Sequence, residues 1–135
     1  MTDREKVFEF MNEAQVLFLA TTDGDQPKCR PLGFRMLVDD QIYFLTGTFK
    51  NVYKQLEANP KVEFVGRVNG DFLRYTGKVA FDDDKTLYDK AFETMPMLEK
   101  IYNDKTGYVP QIFHLENAVA EFRTMENTTK EKIEF

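Results

Sequence analysis

FLTGTFKNVYKQLEANP, residues Phe44 to Pro60, reads as a strand that stops, a turn and a helix that begins. The spacing predicts a helix from about Phe49 to Ala58, ended at Asn59-Pro60 because a residue before proline leaves the helical region. Its charges run against the helix dipole. Lys50 falls in the first turn, Lys54 in the middle, and the sole acid, Glu57, near the far end. Partial positive charge collects at a helix N-terminus, so acids belong there and lysines at the other end. With Thr48 as N-cap, the capping-box partner would be Asn51, which is not an acid. The helix start therefore gathers N–H donors, hydroxyls and a cation with no anion nearby in sequence. Such a cluster suits a phosphate, and Gly47 lets the backbone come close to a ligand. On the residues alone, an exposed lysine, or one paired with Asp39, Asp40 or a distant acid, is the commoner arrangement.

Working outward, the rest reads as strands with helices at the flanks. Thr2-Asp-Arg-Glu5 has the form of a capping box, and Val7, Phe10, Met11 and Ala14 then recur at helical spacing, which gives a helix over residues 3–13. Val16 to Thr22 is an apolar run fit for a buried strand, followed by the turn signal Asp23-Gly24. Pro27 to Val38 reads as one second strand, bulged or bent where Pro31 and Gly33 interrupt it. Asp39-Asp40 turns the chain into a third strand, Gln41 to Thr46. Lys61 to Val68 and Asp71 to Phe81 flank Asn69-Gly70, a two-residue hairpin signal. Residues 83–103 read as helical with a break near Met95-Pro96. Gln111 to Met125 is a long sixth strand and Lys130 to Phe135 a seventh. Tight hairpins require antiparallel neighbours. The expectation is mostly β: a six- to seven-stranded antiparallel barrel, closed or partly split, with peripheral helices.

A chain of 135 residues suits one domain, residues 1–135, which would bury roughly two-thirds of its unfolded surface. With 42% apolar residues, 13 of them Phe, a real core is available. No run of 18 apolar residues is present, so no helical membrane span is expected. The opening MTDREKVFEFMNEAQ lacks an apolar signal region, so cytoplasmic residence is the expectation. The single cysteine, Cys29, rules out an internal disulfide and argues against a cysteine-based metal site. Net charge is −5, which speaks against a nucleic-acid surface. Charge is uneven, however. Between Gln26 and Lys54 five cations (Lys28, Arg30, Arg35, Lys50, Lys54) face Asp39 and Asp40, giving +3 and leaving −8 elsewhere. That pattern hints at a local anion site.

Several stretches, in order, resemble the pyridoxamine 5′-phosphate oxidase-like, FMN-binding split β-barrel family. FLATTDGDQPKCRPLGF (18–34) is similar to its first hairpin, and IYFLTGTFKNVYKQLEANPKVEF (42–64) to its strand–turn–helix–Asn-Pro–strand unit. FLRYTGKVAF (72–81) and HLENAVAEF (114–122) resemble later strands. The resemblance implies a homodimer with FMN at the interface. It implies phosphate contacts from Lys50 and Thr48, with Thr46 facing the cofactor. Arg30, Pro31 and Leu32 would run along the flavin. Lys54 and Gln55 would lie one turn further, and Arg74 would face the partner's cofactor. It further implies an FMN-dependent oxidoreductase of the flavin- or nitro-compound-reductase kind, with a small-molecule substrate and NADH or NADPH as donor. A non-catalytic flavin- or haem-binding protein, or one using deazaflavin, stays open. The chain departs from the true oxidase. It has no Trp, carries Phe72 where Trp is common, and ends in TTKEKIEF. Oxidation of pyridoxamine phosphate is therefore not expected.

The remaining chemistry-bearing residues favour plain readings. His114 reads as a packed or half-exposed strand residue rather than a proton donor or haem ligand. Cys29 reads as buried or incidental, although Arg30 could lower its pKa. Met95-Pro96-Met97 with Tyr102 reads as ordinary packing rather than a lid. Arg74, Thr76 and Lys78 read as a solvated face or a dimer seam. Asp82-Asp83-Asp84 reads as a helix cap, with no metal expected. No catalytic acid or base stands out.

Overall fold

Leu32 and Phe34 are two residues apart, so in one continuous strand their side chains would share a face. They do not: Leu32 points into one apolar core and Phe34 into another. The computed structural model, which describes residues 1–126 and 128–135, breaks the expected strand 27–38 here into two. In chain order the elements are α1 (Asp3–Ala14), β1 (Leu17–Asp23), β2 (Gln26–Leu32), β3 (Arg35–Val38), β4 (Gln41–Gly47) and α2 (Asn51–Ala58). There follow β5 (Lys61–Val68), β6 (Asp71–Asp82), α3 (Lys85–Thr94), α4 (Leu98–Ile101), β7 (Pro110–Thr124) and β8 (Thr129–Glu134). The described residues thus form eight strands, one more than the upper expectation, because Gly33-Phe34 is a change of partner and not a bulge.

All pairings are antiparallel, in the order β2-β1-β5-β6-β7-β4-β3, with β8 also on β7. β2 and β3 are the two ends of that order, yet only Gly33 and Phe34 separate them in sequence. Two residues span about 7 Å at most, so the sheet must curl until its ends nearly meet. This is a split barrel. β7 serves two partners along one edge: Pro110–Phe113 pair with β4, and Val119–Arg123 with β8. On its other edge it runs along β6, with a register shift between Thr76 and Lys78. Gly77 sits in that shift. A Cβ there would lie 2.8 Å from the Glu116 carbonyl oxygen, so a larger residue would force the strands apart.

Arg35 fixes the break. Its guanidinium donates to the carbonyls of Met11 (3.0 Å), Gln15 (2.7 Å) and Gly33 (3.0 Å) and to Asn12 Oδ1 (3.0 Å). The last turn of α1 has no basic side chain of its own, so a cation from β3 meets its free carbonyls and its dipole. At the other end the expected capping box is present, Thr2 and Glu5 each accepting the other's N–H. Asp39 and Asp40 both take positive φ (48° and 59°), which lets a two-residue turn join β3 to β4.

Two apolar clusters result. Inside the barrel, Phe44, Phe64, Tyr75 and Phe113 are fully buried, with Val7 and Met11 of α1 and Leu56 of α2 closing on them. Phe44 stacks on Phe64 with centroids 4.1 Å apart. Outside the β3–β4–β7 wall, Met36, Leu45 and Ile112 pack against Leu87, Ala91, Leu98 and Tyr102 of the α3–α4 arm.

Tyr75 has no exposed surface, and its hydroxyl has no hydrogen-bond partner among the described residues. Burial pushes its pKa up to about 12. A folded-state value above the unfolded one means the folded chain holds that proton more tightly. The associated stability is complete below about pH 10 and is lost as pH rises towards 12. Tyr75→Phe removes an unsatisfied buried hydroxyl. We expect it to raise stability by about 1 kcal/mol in urea denaturation at neutral pH and to flatten the alkaline loss.

Candidate functional site

β4 stays extended through Gly47, which pairs with Pro110 of β7. The Thr48 N–H then donates to the Val109 carbonyl at 2.9 Å. The strand therefore runs one residue longer than the sequence suggests, with Thr48 tied to Val109, and α2 starts at Asn51. Its N-cap is Lys50, not Thr48, with extended dihedrals (φ −86°, ψ 151°) and no side-chain cap. No acid occupies the first turn. Lys50 is exposed and has no carboxylate partner among the described residues. The expected unbalanced charge at the helix start is real, but the start lies two residues later than read, so Lys50 is the cap and not part of the first turn. Gly47 matters for a different reason than expected: a Cβ there would meet the Phe49 ring at 2.5 Å and Tyr102 Oη at 3.0 Å. That absence of a side chain lets Phe49 lie over the turn and stack on Tyr108, centroids 3.9 Å apart.

Beside this turn lies a pocket of about 240 Å³. One side is polar: Arg30 of β2, Thr46 at the end of β4, and Lys50. The floor is Pro31, Leu32 and Gly33, and the far wall is Met95, Leu98, Ile101 and Tyr102 of the α3–α4 arm. No carboxylate lines it. Thr46 is 2% exposed and its Oγ1 has no partner among the described residues. An unmet buried hydroxyl costs about 1–3 kcal/mol, so one that lines a pocket is poised for a ligand atom. Across α2 a second hollow, about 250 Å³, is lined by Thr22, Asp23, Gly24, Asn51, Lys54 and Gln55.

Between the two hollows stands a polar triad, with Thr21 and Gln55 buried and Arg30 half-buried. Arg30 Nη1 donates to Thr21 Oγ1 (2.6 Å) and to the Leu19 carbonyl (3.2 Å), and its Nη2 donates to Gln55 Oε1 (2.7 Å). The Thr21 hydroxyl donates to the same Gln55 oxygen at 2.6 Å. Burial lowers the Arg30 pKa, yet a guanidinium keeps its charge at any working pH. These contacts join β1, β2 and α2.

The sequence profile of the pyridoxamine 5′-phosphate oxidase family matches residues 3–128. The chain belongs to that family. Among curated proteins none matches it. Its structure is similar to that of a NimC/NimA family protein from Clostridium acetobutylicum, with TM-score 0.87 and 29% identity over 100% of this chain and 95% of that one. It is also similar in fold to a pyridoxamine 5′-phosphate oxidase-related, FMN-binding protein from Nostoc punctiforme (TM-score 0.60, 14% identity, 100% and 98% covered). PhzG from Burkholderia lata, solved in complex with tetrahydrophenazine-1-carboxylic acid, shares the fold as well (TM-score 0.69, 13% identity, 97% and 89% covered).

Of the residues that the family resemblance singled out, the structure brings Arg30, Pro31, Leu32, Thr46 and Lys50 to one pocket and Lys54 and Gln55 to the adjoining hollow. Thr48 is half-buried at the turn and lines neither. Arg74 lies apart, on the outer face of β6, with its Nε 3.9 Å from Glu63. The register aligns it with Val65, Phe18 and Pro31 across β5, β1 and β2. The sequence reading missed the far wall. Met95 and Tyr102 do pack, as expected, but they also face the pocket, and Met97 is exposed. The break at Met95-Pro96 was the available signal.

Other polar groups lie elsewhere. His114 Nδ1 is 2.8 Å from Asp82 Oδ2, and its ring meets the edge of Tyr43 at 5.7 Å. Burial raises the Asp82 pKa, opposed by His114. Asp84 caps α3, its Oδ1 accepting the Thr86 N–H at 2.9 Å. Cys29 is exposed on β2 rather than buried. Among the described residues no three His, Cys, Asp or Glu groups come together to hold a metal ion, and no helix is long and apolar enough to cross a membrane.

Replacing Arg30 by Met should leave the Thr21 and Gln55 oxygens bonded only to each other and remove both charge-assisted contacts. The expected outcome is a loss of about 2 kcal/mol in urea denaturation.

Proposed function

We propose that this chain is an FMN-dependent oxidoreductase that works as a homodimer on a small electron acceptor, with NADH or NADPH as donor. The observation that carries the reading is the buried, unpartnered Thr46 hydroxyl in a pocket without carboxylates, beside the uncapped, lysine-bearing start of α2. Those features fit a flat ligand with an anionic tail. Lys50 and the first turn of α2 would hold the phosphate by charge-assisted hydrogen bonds, with Thr48 beside them and Lys54 and Gln55 on the adjoining hollow. Thr46 would meet a polar atom of the ring system, while Pro31 and Leu32 give it an apolar bed. Arg30, tied to Gln55, holds the wall between the two hollows. When bound, flavin supplies reversible two-electron chemistry, so the protein need only orient it and admit an acceptor. This agrees with a pocket whose lining offers no carboxylate or imidazole. Haem is the poorer fit, because the sole histidine is engaged with Asp82 and lies outside the pocket.

The dimer is supported by size and by surface. At about 240 Å³ the pocket is smaller than a typical closed small-molecule site, roughly 300–1,000 Å³. Beside it Phe49, Tyr108, Val109 and Ile101 are exposed, and Phe18 stands exposed on β1 in the row that ends at Arg74. A second copy would cover these side chains and complete the site, with Arg74 reaching the partner's cofactor.

Two measurements test this. The protein should quench FMN fluorescence on binding, and Lys50→Glu should weaken the affinity by about tenfold to a hundredfold, the loss of one charge-assisted contact, with no change in folding. An unchanged affinity would falsify the phosphate seat. Reduced nicotinamide should then bleach the visible flavin band; flavin that binds but stays yellow would mark a carrier or sensor instead of an enzyme.

A further inference from the structure

The pocket has two unlike ends, and one side chain stands where they meet. Arg30, Thr46 and Lys50 make the polar end, while Met95, Leu98 and Ile101 make the apolar one. Tyr102 belongs to the apolar wall by its ring, which packs with Leu98 and Leu45, yet its hydroxyl lies next to Gly47. No residue among those described accepts or donates to that hydroxyl; the one hydrogen bond of Tyr102 runs from its backbone N–H to the Leu98 carbonyl at 2.9 Å. The side chain is 8% exposed, and its hydroxyl is not among the fully buried atoms, so it keeps some surface through which a pocket ligand can reach it. The ring cannot swing away without emptying the packed cluster beneath α4. It therefore presents a fixed O–H to whatever occupies the apolar end.

We infer that Tyr102 is a specificity-determining hydrogen-bond donor, selecting flat, uncharged rings that carry an acceptor oxygen at the edge over rings of the same shape without one. The inference rests on the flavin reading only for what fills the polar end. Three features of the pocket support it. The apolar wall gives such a ring its contact area, but apolar contact alone discriminates poorly between isosteres. A positioned polar group discriminates strongly, because the wrong ligand leaves it buried and unpaired. Burial also holds the phenol above its usual pKa, so across the physiological range it is an O–H and never a phenolate.

Duroquinone and durene test the claim, since they share a tetramethylated ring and differ in the two carbonyl oxygens. Full substitution also keeps the quinone from adding to the exposed Cys29 thiol. Binding is measured by equilibrium dialysis against oxidised, FMN-saturated protein without reductant, so no turnover contributes. Wild type should hold duroquinone about tenfold tighter than durene or better, the worth of one net hydrogen bond. In Tyr102→Phe the ratio should fall to about one, with durene binding, FMN affinity and thermal midpoint unchanged, because only the oxygen is removed. A role in packing alone would move both ligands together. The inference is overturned if wild type shows no preference, if the variant keeps it, or if the variant loses FMN affinity instead. Should wild type take up no FMN, the flavin reading fails by itself, and the same ratio measured on the free protein decides the role of Tyr102.

Discussion

Two residues carry this chain from one end of its sheet to the other. Gly33 and Phe34 bridge β2 and β3, the strands farthest apart in pairing order, and that short tether forces closure. A closed or nearly closed sheet removes the exposed edges that would otherwise invite association. Closure also explains why two cores exist. Leu32, just before the tether, points into the barrel, and residues after it alternate between the barrel and the α3–α4 arm. Arg35 locks the arrangement at the one point where α1, the tether and β3 converge.

The site is a by-product of the same closure. Its floor is the last part of β2 and the tether itself, and its polar side is the end of β4. The α3–α4 arm packs on the outside of β3 and β4 and supplies the far wall. No long loop is needed. What the pocket lacks is as informative as what it holds: a cation and a helix start with nothing anionic to face, and a buried threonine hydroxyl with nothing to bond. Folding alone gives no return for such groups, since each would be better placed in water. Binding does.

Local chemistry was legible in the sequence and non-local chemistry was not. The capping box at Thr2 and Glu5, the turns at Asp39-Asp40 and Asn69-Gly70, and the helix stop at Asn59-Pro60 are each specified by a few adjacent residues, and each is present. The start of α2 was misjudged because pairing of Gly47 and Thr48 with the start of β7 overrides the capping preference of a threonine. The split of strand 27–38 escaped notice because a period of two looks the same whether or not the partner changes. Arg30 and Gln55 are 25 positions apart, and nothing along the chain announces that they meet. Cys29 was read as buried or incidental, and only the second holds, because β2 is an end strand where Leu32 alone is buried. The wall formed by Tyr102 depends on how α4 docks, which periodicity over four residues cannot convey.

β7 acts as a ruler for the whole molecule. Its first residues set the height of β4, its last ones set β8, and β6 reads nearly the full length from the other side. An inserted or deleted residue anywhere along it would throw every neighbour onto the wrong face at once. The segment from Asn103 to Gly107 carries no such burden, being mostly exposed and held by its own turns. Descendants of this chain are thus free to lengthen or trim the approach to the pocket while the frame that carries it stays fixed, so new ligand preferences can be explored there at little risk to folding.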